Sequence, residues 1–232
     1  MAEIVVFGGT AEGREMAVKL KNSGKNVTVS VTSEYARTLL PGDMDCHVGI
    51  LDRDGMEAFL AAERPDRVID CTHPYAVRAT ENIKACCGKL DIPHERVERA
   101  PSEGDWISYA EHAADTEQAA QALVRTRGNI LLTTGSHTIK AYAEKADTSR
   151  IWVRVLPNEE ALKLCGEAGI PPSHIIAMQG PFSQAFNAAL YDMLDIKVMV
   201  SKDSGARGGV AEKVIPALER DIHVILIDRP KE

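Results

Sequence analysis

The stretch Glu3-Ile4-Val5-Val6-Phe7-Gly8-Gly9-Thr10-Ala11-Glu12-Gly13-Arg14-Glu15-Met16-Ala17-Val18-Lys19-Leu20 decides the fold class. Glu3 to Phe7 reads as an apolar strand and Glu15 to Leu20 as a helix. The turn between them carries Gly8-x-Thr10-x-x-Gly13, the spacing of the dinucleotide fingerprint with threonine in place of its second glycine. Gly8 permits the tight turn, Gly13 lets the helix pack close to the strand, and the free N–H groups of the helix start face a phosphate. Where a second glycine would let the backbone reach a pyrophosphate, Thr10 offers a hydroxyl able to donate to a phosphate oxygen. A glycine-rich strand-to-helix turn with no ligand is the plain alternative.

Outward from this turn the chain alternates strands and helices. Asn26 to Thr32, Met44 to Val48, Arg67 to Cys71 and His94 to Val97 read as strands, with helices over Gly55 to Glu63 and Tyr75 to Leu90. A polar stretch, Ala100-Pro101-Ser102-Glu103-Gly104-Asp105, interrupts the pattern and is the linker candidate. Beyond it strands are expected at Asn129 to Thr133, Ile151 to Leu156, His174 to Met178, Lys197 to Ser201 and His223 to Ile227. Helices fall at Thr116 to Arg125, Thr138 to Lys145, Glu159 to Ala168, Ser183 to Leu194 and Ala211 to Arg220. The expectation is an α/β protein of two lobes, 1–100 and 101–232, each with a mostly parallel sheet, and a cleft between them. No residue-level repeat and no low-complexity segment is evident.

Composition narrows the functional classes. At 232 residues, 44% hydrophobic and 26% charged, the chain suits one large or two small globular domains. A net charge of −7 with no basic stripe speaks against a nucleic-acid binder, though not against a small anion held by local arginines. The start runs directly into a strand and no apolar run approaches the ~20 residues that span a bilayer, so a cytoplasmic protein without membrane attachment is expected. Cys46, Cys71, Cys86, Cys87 and Cys165 contain no C-x-x-C pair and read as reduced and mostly buried. The histidines show no i, i+4 pairing, so no zinc site is expected. Asn26-Val27-Thr28 fits a glycosylation sequon, which means nothing without secretion.

Ligands of parallel sheets bind beyond the carboxyl ends of the strands. Standing there are Gly8-Gly9-Thr10, Thr32-Ser33, Thr72-His73-Pro74-Tyr75, Thr133-Thr134-Gly135-Ser136, Gln179-Gly180-Pro181-Phe182-Ser183 and Lys202-Asp203-Ser204-Gly205. One such turn is ordinarily helix capping; six in register form a polar rim. A site for NAD usually places an acid after the second strand to hold the ribose 2′-hydroxyl. Here Thr32, Ser33 and Arg37 suit a 2′-phosphate and Glu34 suits NAD, so the loop leans toward NADPH over NADH. Ser33 as a helix cap with Arg37 in solvent is the alternative.

Taken together, the motifs resemble the precorrin-6A reductase family of cobalamin biosynthesis, including its cobalt-precorrin-6A branch. The resemblance covers essentially the whole chain. It rests on Gly8-Gly9-Thr10-x-Glu12-Gly13-Arg14, Asp70-x-Thr72-His73-Pro74-Tyr75-Ala76, Thr134-Gly135-Ser136, Met178-Gln179-Gly180-Pro181-Phe182-Ser183, and Lys202-Asp203-Ser204-Gly205 with Gly208-Gly209. His94-x-x-x-x-Glu98-Arg99-x-Pro101 resembles that family's crossover into its second lobe. The resemblance implies two Rossmann-like or flavodoxin-like lobes, and hydride transfer from NADPH or NADH to one double bond of an anionic tetrapyrrole, precorrin-6A or cobalt-precorrin-6A. On that reading Gly8, Gly9, Thr10, Glu12, Gly13, Thr32, Ser33, Arg37, Thr72, Thr134 and Gly135 hold the cofactor. Gln179, Gly180, Phe182, Ser183, Asp203, Ser204 and Gly205 meet the substrate.

The substrate carries a ring of carboxylates and needs cationic anchors, which bind as charge-assisted hydrogen bonds. Arg14, Lys202 and Arg207 are the candidates, with Arg96 and Arg99 behind them. Tyr75, Phe182 and Met178 are candidate apolar walls. Hydride transfer needs no protein nucleophile, but a general acid can supply the accompanying proton. Lys202 is the first candidate, its pKa lowered by a neighbouring arginine or the cofactor, with His73 and Tyr75 as alternatives. Two rivals stand beside this reading: a methyltransferase, which also uses a glycine-rich first turn but wants an acid after the second strand, and a non-catalytic dinucleotide- or tetrapyrrole-binding module. A short-chain dehydrogenase is excluded because Tyr142 and Lys145 have the wrong spacing for Tyr-x-x-x-Lys, and there is no P-loop.

Overall fold

A computed structural model describes residues 2–98 and 100–230. They form two compact units, Met1–Arg99 and Ala100–Glu232. The first unit holds five parallel strands: β1 (Ile4–Gly8), β2 (Val27–Val31), β3 (Asp45–Val48), β4 (Arg67–Cys71) and β5 (His94–Arg96). Their order across the sheet is β3-β2-β1-β4-β5. The helices between them are α1 (Ala11–Asn22), α2 (Glu34–Thr38), α3 (Arg53–Glu63) and α4 (Val77–Leu90).

The period-two alternation of a strand explains how this sheet is covered on both faces. Ile4 and Val6 of β1 join Val27, Val29 and Val31 of β2 in a core cluster with Ala17 of α1. Val5 and Phe7 point the other way, into a cluster with Met56 and Leu60 of α3 and Ile83, Cys86 and Cys87 of α4. Every residue of β1 is therefore buried. The helix expected from Tyr75 begins at Val77 instead. His73-Pro74-Tyr75-Ala76 form a turn closed by the Ala76 amide on the His73 carbonyl at 2.8 Å.

The second unit holds β6 (Glu111–Ala113), β7 (Asn129–Leu132), β8 (Ile151–Val155), β9 (Ile175–Ala177), β10 (Ile196–Lys202) and β11 (His223–Ile227). Its helices are α5 (Thr116–Leu123), α6 (Ile139–Ala143), α7 (Glu159–Glu167), α8 (Gln184–Met193) and α9 (Val210–Leu218). The six strands are parallel in the order β6-β11-β10-β7-β8-β9. Counted from β7, the strands β9-β8-β7-β10-β11 repeat the 3-2-1-4-5 order of the first unit, with β6 added at one edge. The recurrence lies in topology, where the sequence shows no repeat. β6 was not expected from the sequence, because its three residues carry no apolar alternation. It pairs with β11 along the backbone, with Ala113 buried, and side-chain pairs add to this: His112 Nδ1 to Asp228 at 2.6 Å, His223 Nε2 to Glu111 at 2.8 Å, and the ion pair Arg125–Glu111.

The closest packing in the first unit is at Gly13. A Cβ there would lie 2.8 Å from the Gly8 Cα and 3.1 Å from the Cys71 Cβ, so α1 rests directly on β1 and β4. A Cβ on Gly8 would meet nothing nearer than 3.5 Å, an ordinary contact. The steric demand of the fingerprint falls on Gly13 and not on Gly8. Gly13→Ala is expected to lower unfolding free energy in urea by about 1–3 kcal/mol, the usual cost of overpacking, and Gly8→Ala by markedly less. Equal losses would contradict this assignment.

Candidate cofactor and substrate site

In an open parallel sheet the ligand crevice forms where strand order reverses. In the first unit that point lies between β1 and β4, and a cavity of about 320 Å³ opens there. Gly8, Gly9, Thr10, Thr32, Thr72 and His73 all line it, so the structure brings together six of the residues singled out from the sequence. Ile50 and Leu51, from the loop after β3, add an apolar wall with Met56, Ala79 and Ile83. Ile50 is 78% exposed, an aliphatic side chain left open at this rim. A Cβ on Gly9 would meet nothing within 4 Å. No carboxylate lines the cavity among the described residues.

Thr10 caps α1: its hydroxyl oxygen accepts from the Gly13 amide at 3.2 Å, and its proton goes to the Cys71 carbonyl at 2.9 Å. The hydroxyl expected to face a phosphate is thus engaged within the protein. Thr10 ties the β1 turn to β4, and an anion would be met by amides of the turn ahead of Gly13. Ser33 caps α2 by accepting from Ala36 at 3.2 Å, and Arg37 is exposed. Neither these two nor Glu12, Gly13 or Tyr75 belongs to the cavity lining. Arg14 lines a separate shallow groove with Glu15, Val18, Lys19 and Asn22.

His73 Nδ1 accepts from the Tyr75 amide at 3.3 Å, so the neutral ring carries its proton on Nε2. The same contact sets the turn that ends β4. Below it, Asp70 is fully buried, and its Oδ1 takes the Thr72 amide at 2.9 Å and the Arg96 guanidinium at 2.8 Å. Arg96 also donates to the Thr72 hydroxyl at 2.8 Å. Arg96 thus holds Thr72 and the β4 end. Arg99 lies outside the described residues. The cysteines are free thiols, four of them buried. Burial pushes Cys71 and Cys87 up to about 11, which disarms them as nucleophiles.

In the second unit the reversal lies between β7 and β10. Thr133-Thr134-Gly135 leave β7 there, and Lys202-Asp203-Ser204-Gly205 leave β10. Thr134 is buried with its hydroxyl 2.8 Å from that of Thr138, and Gly135 has φ +89° and open space around it. Lys202 is half-buried, and that burial lowers its pKa. Desolvation of the ammonium is the cause. Asp203 is absorbed in structure: Oδ1 accepts from Ser102 at 2.5 Å and from the Gly205 amide at 3.1 Å, and Arg229 Nε donates to its carbonyl at 3.1 Å. Ser204 is buried, Gly205 takes φ +79°, and Arg207 and Gln179 are exposed. Ser183 caps α8 by accepting from Phe186 at 3.2 Å. Gly180 packs under the Phe182 ring, 3.1 Å from where a Cβ would stand.

Phe182 leads to two residues that sequence reasoning missed. The Arg154 guanidinium sits over the Phe182 ring at 4.3 Å, and Phe186 stacks on the other ring at 5.0 Å between centroids. Arg154 Nη1 donates to Asn187 Oδ1 at 2.6 Å. Nearby in α9, Lys213 is buried, and its ammonium pKa is pushed down to about 7, first by burial and then by Arg154. The signal was available: each is a lone cation inside an apolar segment, Ile151-Trp152-Val153-Arg154-Val155 and Val210-Ala211-Glu212-Lys213-Val214-Ile215.

Two doubly wound sheets with glycine- and hydroxyl-bearing turns at their reversal points, and a dinucleotide-type turn on the first, define an α/β protein of two Rossmann-like units. The sequence model of the family Precorrin-6x reductase CbiJ/CobK matches residues 3–232. The cobalt-precorrin-6A reductase of Priestia megaterium is 34% identical over 98% of this chain and 91% of its own length. That of Salmonella typhimurium is 32% identical over 98% and 88%. The precorrin-6A reductase of Mycobacterium tuberculosis is 29% identical over 99% and 90%. The solved structure of CobK precorrin-6A reductase shares the fold, with a TM-score of 0.81 at 24% identity over 100% of this chain and 89% of that one. The chain belongs to the precorrin-6x reductase family. Among the described residues no helix is long and apolar enough to cross a membrane, and no group of three or more His, Cys, Asp or Glu could hold a metal ion.

Arg96→Met leaves the Asp70 carboxylate buried without its cation, and is expected to cost about 3–5 kcal/mol of stability; a loss below about 1 kcal/mol would show that Asp70 is compensated elsewhere. Lys213 generates a pH dependence. An unfolded lysine holds its proton to about pH 10.4, whereas the folded one releases it at about 7. Between those values the unfolded chain binds more protons, so this group makes stability rise with pH, by up to about 1.4 kcal/mol per pH unit. Urea melts across this range should show that slope, and Lys213→Met should remove it. A slope indifferent to the substitution would mean that Lys213 stays charged.

Proposed function

We propose that the chain reduces one double bond of the precorrin-6A or cobalt-precorrin-6A macrocycle to the dihydro form, in cobalamin biosynthesis. The reading is carried by the family match over residues 3–232, together with the cavity at the Gly8–Thr10 turn. The somewhat higher identities to cobalt-precorrin-6A reductases favour the cobalt-bearing substrate. Residues 1–100 act as the dinucleotide-binding lobe and 101–232 as the second lobe. The methyltransferase reading loses its support with membership in a reductase family.

The residues present fit a nicotinamide dinucleotide. Gly9 leaves open space at the turn, and its neighbours supply backbone amides beside the helix start, as a pyrophosphate requires. The apolar wall of Ile50, Leu51 and Met56 suits a flat base. No carboxylate among the described lining residues competes for a 2′-hydroxyl, which favours NADPH over NADH. When bound, the cofactor supplies the hydride. The chain's part is to orient both partners, exclude water and deliver a proton.

Lys202 is the proton donor of this proposal. Its half-buried position draws the ammonium pKa down, toward the range in which a general acid works best. His73 keeps a protonated Nε2 at the cavity and serves there as an orienting donor, while Tyr75 fixes its ring. Arg207 and Gln179 are both exposed, and on this reading they meet carboxylate arms of the substrate.

Titration of the protein with NADPH and NADH, followed by nicotinamide fluorescence, should show saturable binding with NADPH the tighter. Turnover of precorrin-6A should fall at least about 100-fold in Lys202→Met while NADPH binding persists. In the unsubstituted enzyme the rate should fall as pH rises through the Lys202 pKa, because the protonated form is the donor. Near-normal turnover in Lys202→Met would remove Lys202 from this role. Binding of S-adenosylmethionine in place of either nicotinamide would return the methyltransferase reading.

A further inference from the structure

Arg154 and Lys213 are 7% and 8% exposed, yet no carboxylate among the described residues pairs with either. Burying one uncompensated cation costs several kcal/mol and two together cost more. A fold that keeps both needs a reason. Their surroundings are built with care. Pro216, inside α9, has no N–H to give the Glu212 carbonyl one turn earlier. That carbonyl accepts instead from Asn187 Nδ2 at 2.9 Å, and the Ser183 carbonyl accepts from the same Nδ2 at 3.0 Å. With both amide protons engaged, Asn187 must turn Oδ1 toward Arg154. Asn187 is fully buried, so the guanidinium is held by one neutral acceptor and one aromatic face, leaving most of its donors for something else.

The charged and titratable groups around Lys213 come from four elements. Arg154 of β8 opposes its charge, and Glu212 of α9 and Asp203 after β10 favour it. Tyr191 of α8 donates its hydroxyl to the Lys213 carbonyl at 2.9 Å and stays neutral, since burial raises its pKa. Both acids favour the charged form of Lys213, but among the described residues neither makes an ion-pair contact with Arg154 or Lys213. Asp203 is engaged by Ser102 and Gly205. Glu212 is adjacent to Lys213 on the helix, and neighbours at i, i+1 do not face each other.

We propose that Arg154 and Lys213 form an anion subsite in the second unit that takes one carboxylate side arm of the macrocycle. This rests on the reading of the substrate as a polycarboxylate tetrapyrrole. A guanidinium fork matches a carboxylate bidentately. The stacked Phe182 and Phe186 rings offer an apolar wall to the methylene groups of an acetate or propionate arm. An arriving carboxylate restores the positive form of Lys213, so occupancy takes up a proton from solvent at neutral to mildly alkaline pH.

The test uses the intact protein with cobyrinic acid, a corrin polycarboxylate, and with cobinamide, whose side arms are amides. The Lys213 ε-carbon, followed by NMR and assigned with Lys213→Met, should shift to its charged position at about pH 8 when cobyrinic acid binds, and not with cobinamide. Arg154→Lys, Arg154→Met and Lys213→Met should each weaken cobyrinic acid about tenfold to a hundredfold and raise the KM for precorrin-6A, with NADPH affinity intact. Tight cobyrinic acid binding in all three variants, or an unmoved Lys213 signal on saturation, would overturn the subsite and leave the reductase standing. A wild-type protein that neither binds cobyrinic acid nor oxidises NADPH with precorrin-6A would overturn the reductase reading, and the subsite with it.

Discussion

The first unit depends on the approach of α1 to β1, with the Gly13 backbone seated against Gly8 and Cys71. Any side chain at Gly13 would lift the helix start from the sheet. The same turn binds Thr10 across to the Cys71 carbonyl, so the ends of β1 and β4 are held as one piece at the point where the strand order reverses. The cavity is a consequence of that geometry. Helices α1 and α4 leave the two strands on opposite faces of the sheet, and the space between their starts has no chain to fill it.

The second unit reaches the same geometry with other residues. β7 and β10 take the places of β1 and β4, but the turn after β7 is Thr133-Thr134-Gly135, without a glycine against a strand, and the turn after β10 begins with Lys202. A dinucleotide turn suits a pyrophosphate because it offers amides and no side chains. The turn after β10, which stands where β4 ends in the first unit, begins with a lysine and offers a charge and a proton. The shared topology therefore gives two strand-order reversals whose turns differ in chemistry, backbone amides at one and a lysine at the other.

The elements with strong patterning were legible in the sequence. The valines of β2 and the apolar run of β1 led to strands within a residue of their bounds, because burial on both faces leaves an unambiguous trace. β6 was not legible, since its three residues carry no apolar alternation and it is joined to the sheet by backbone pairing with β11. At the site the cavity turns were found, and several of their residues also serve the fold. Thr10, Ser33, Ser183 and Asp203 are hydroxyls and an acid in the right turns, and the structure uses each first to satisfy backbone amides or tie a turn. A polar residue after a strand is as useful to a helix start as to a ligand, and sequence does not separate the two uses.

Buried charge separates structure from function more sharply than turn chemistry does. Asp70 and Arg96 are opposite charges in contact, and their pair orders the Thr72 turn. Arg154 and Lys213 are like charges brought together, with Asn187 positioned through the carbonyl that Pro216 leaves open. Stability alone would favour an apolar residue at either place. The neutral form of Lys213 relieves part of the cost while the site is empty, and a carboxylate would relieve the rest. The arrangement is costly in the free protein and favourable once an anion arrives, which is the energetic signature of a binding site rather than of a core.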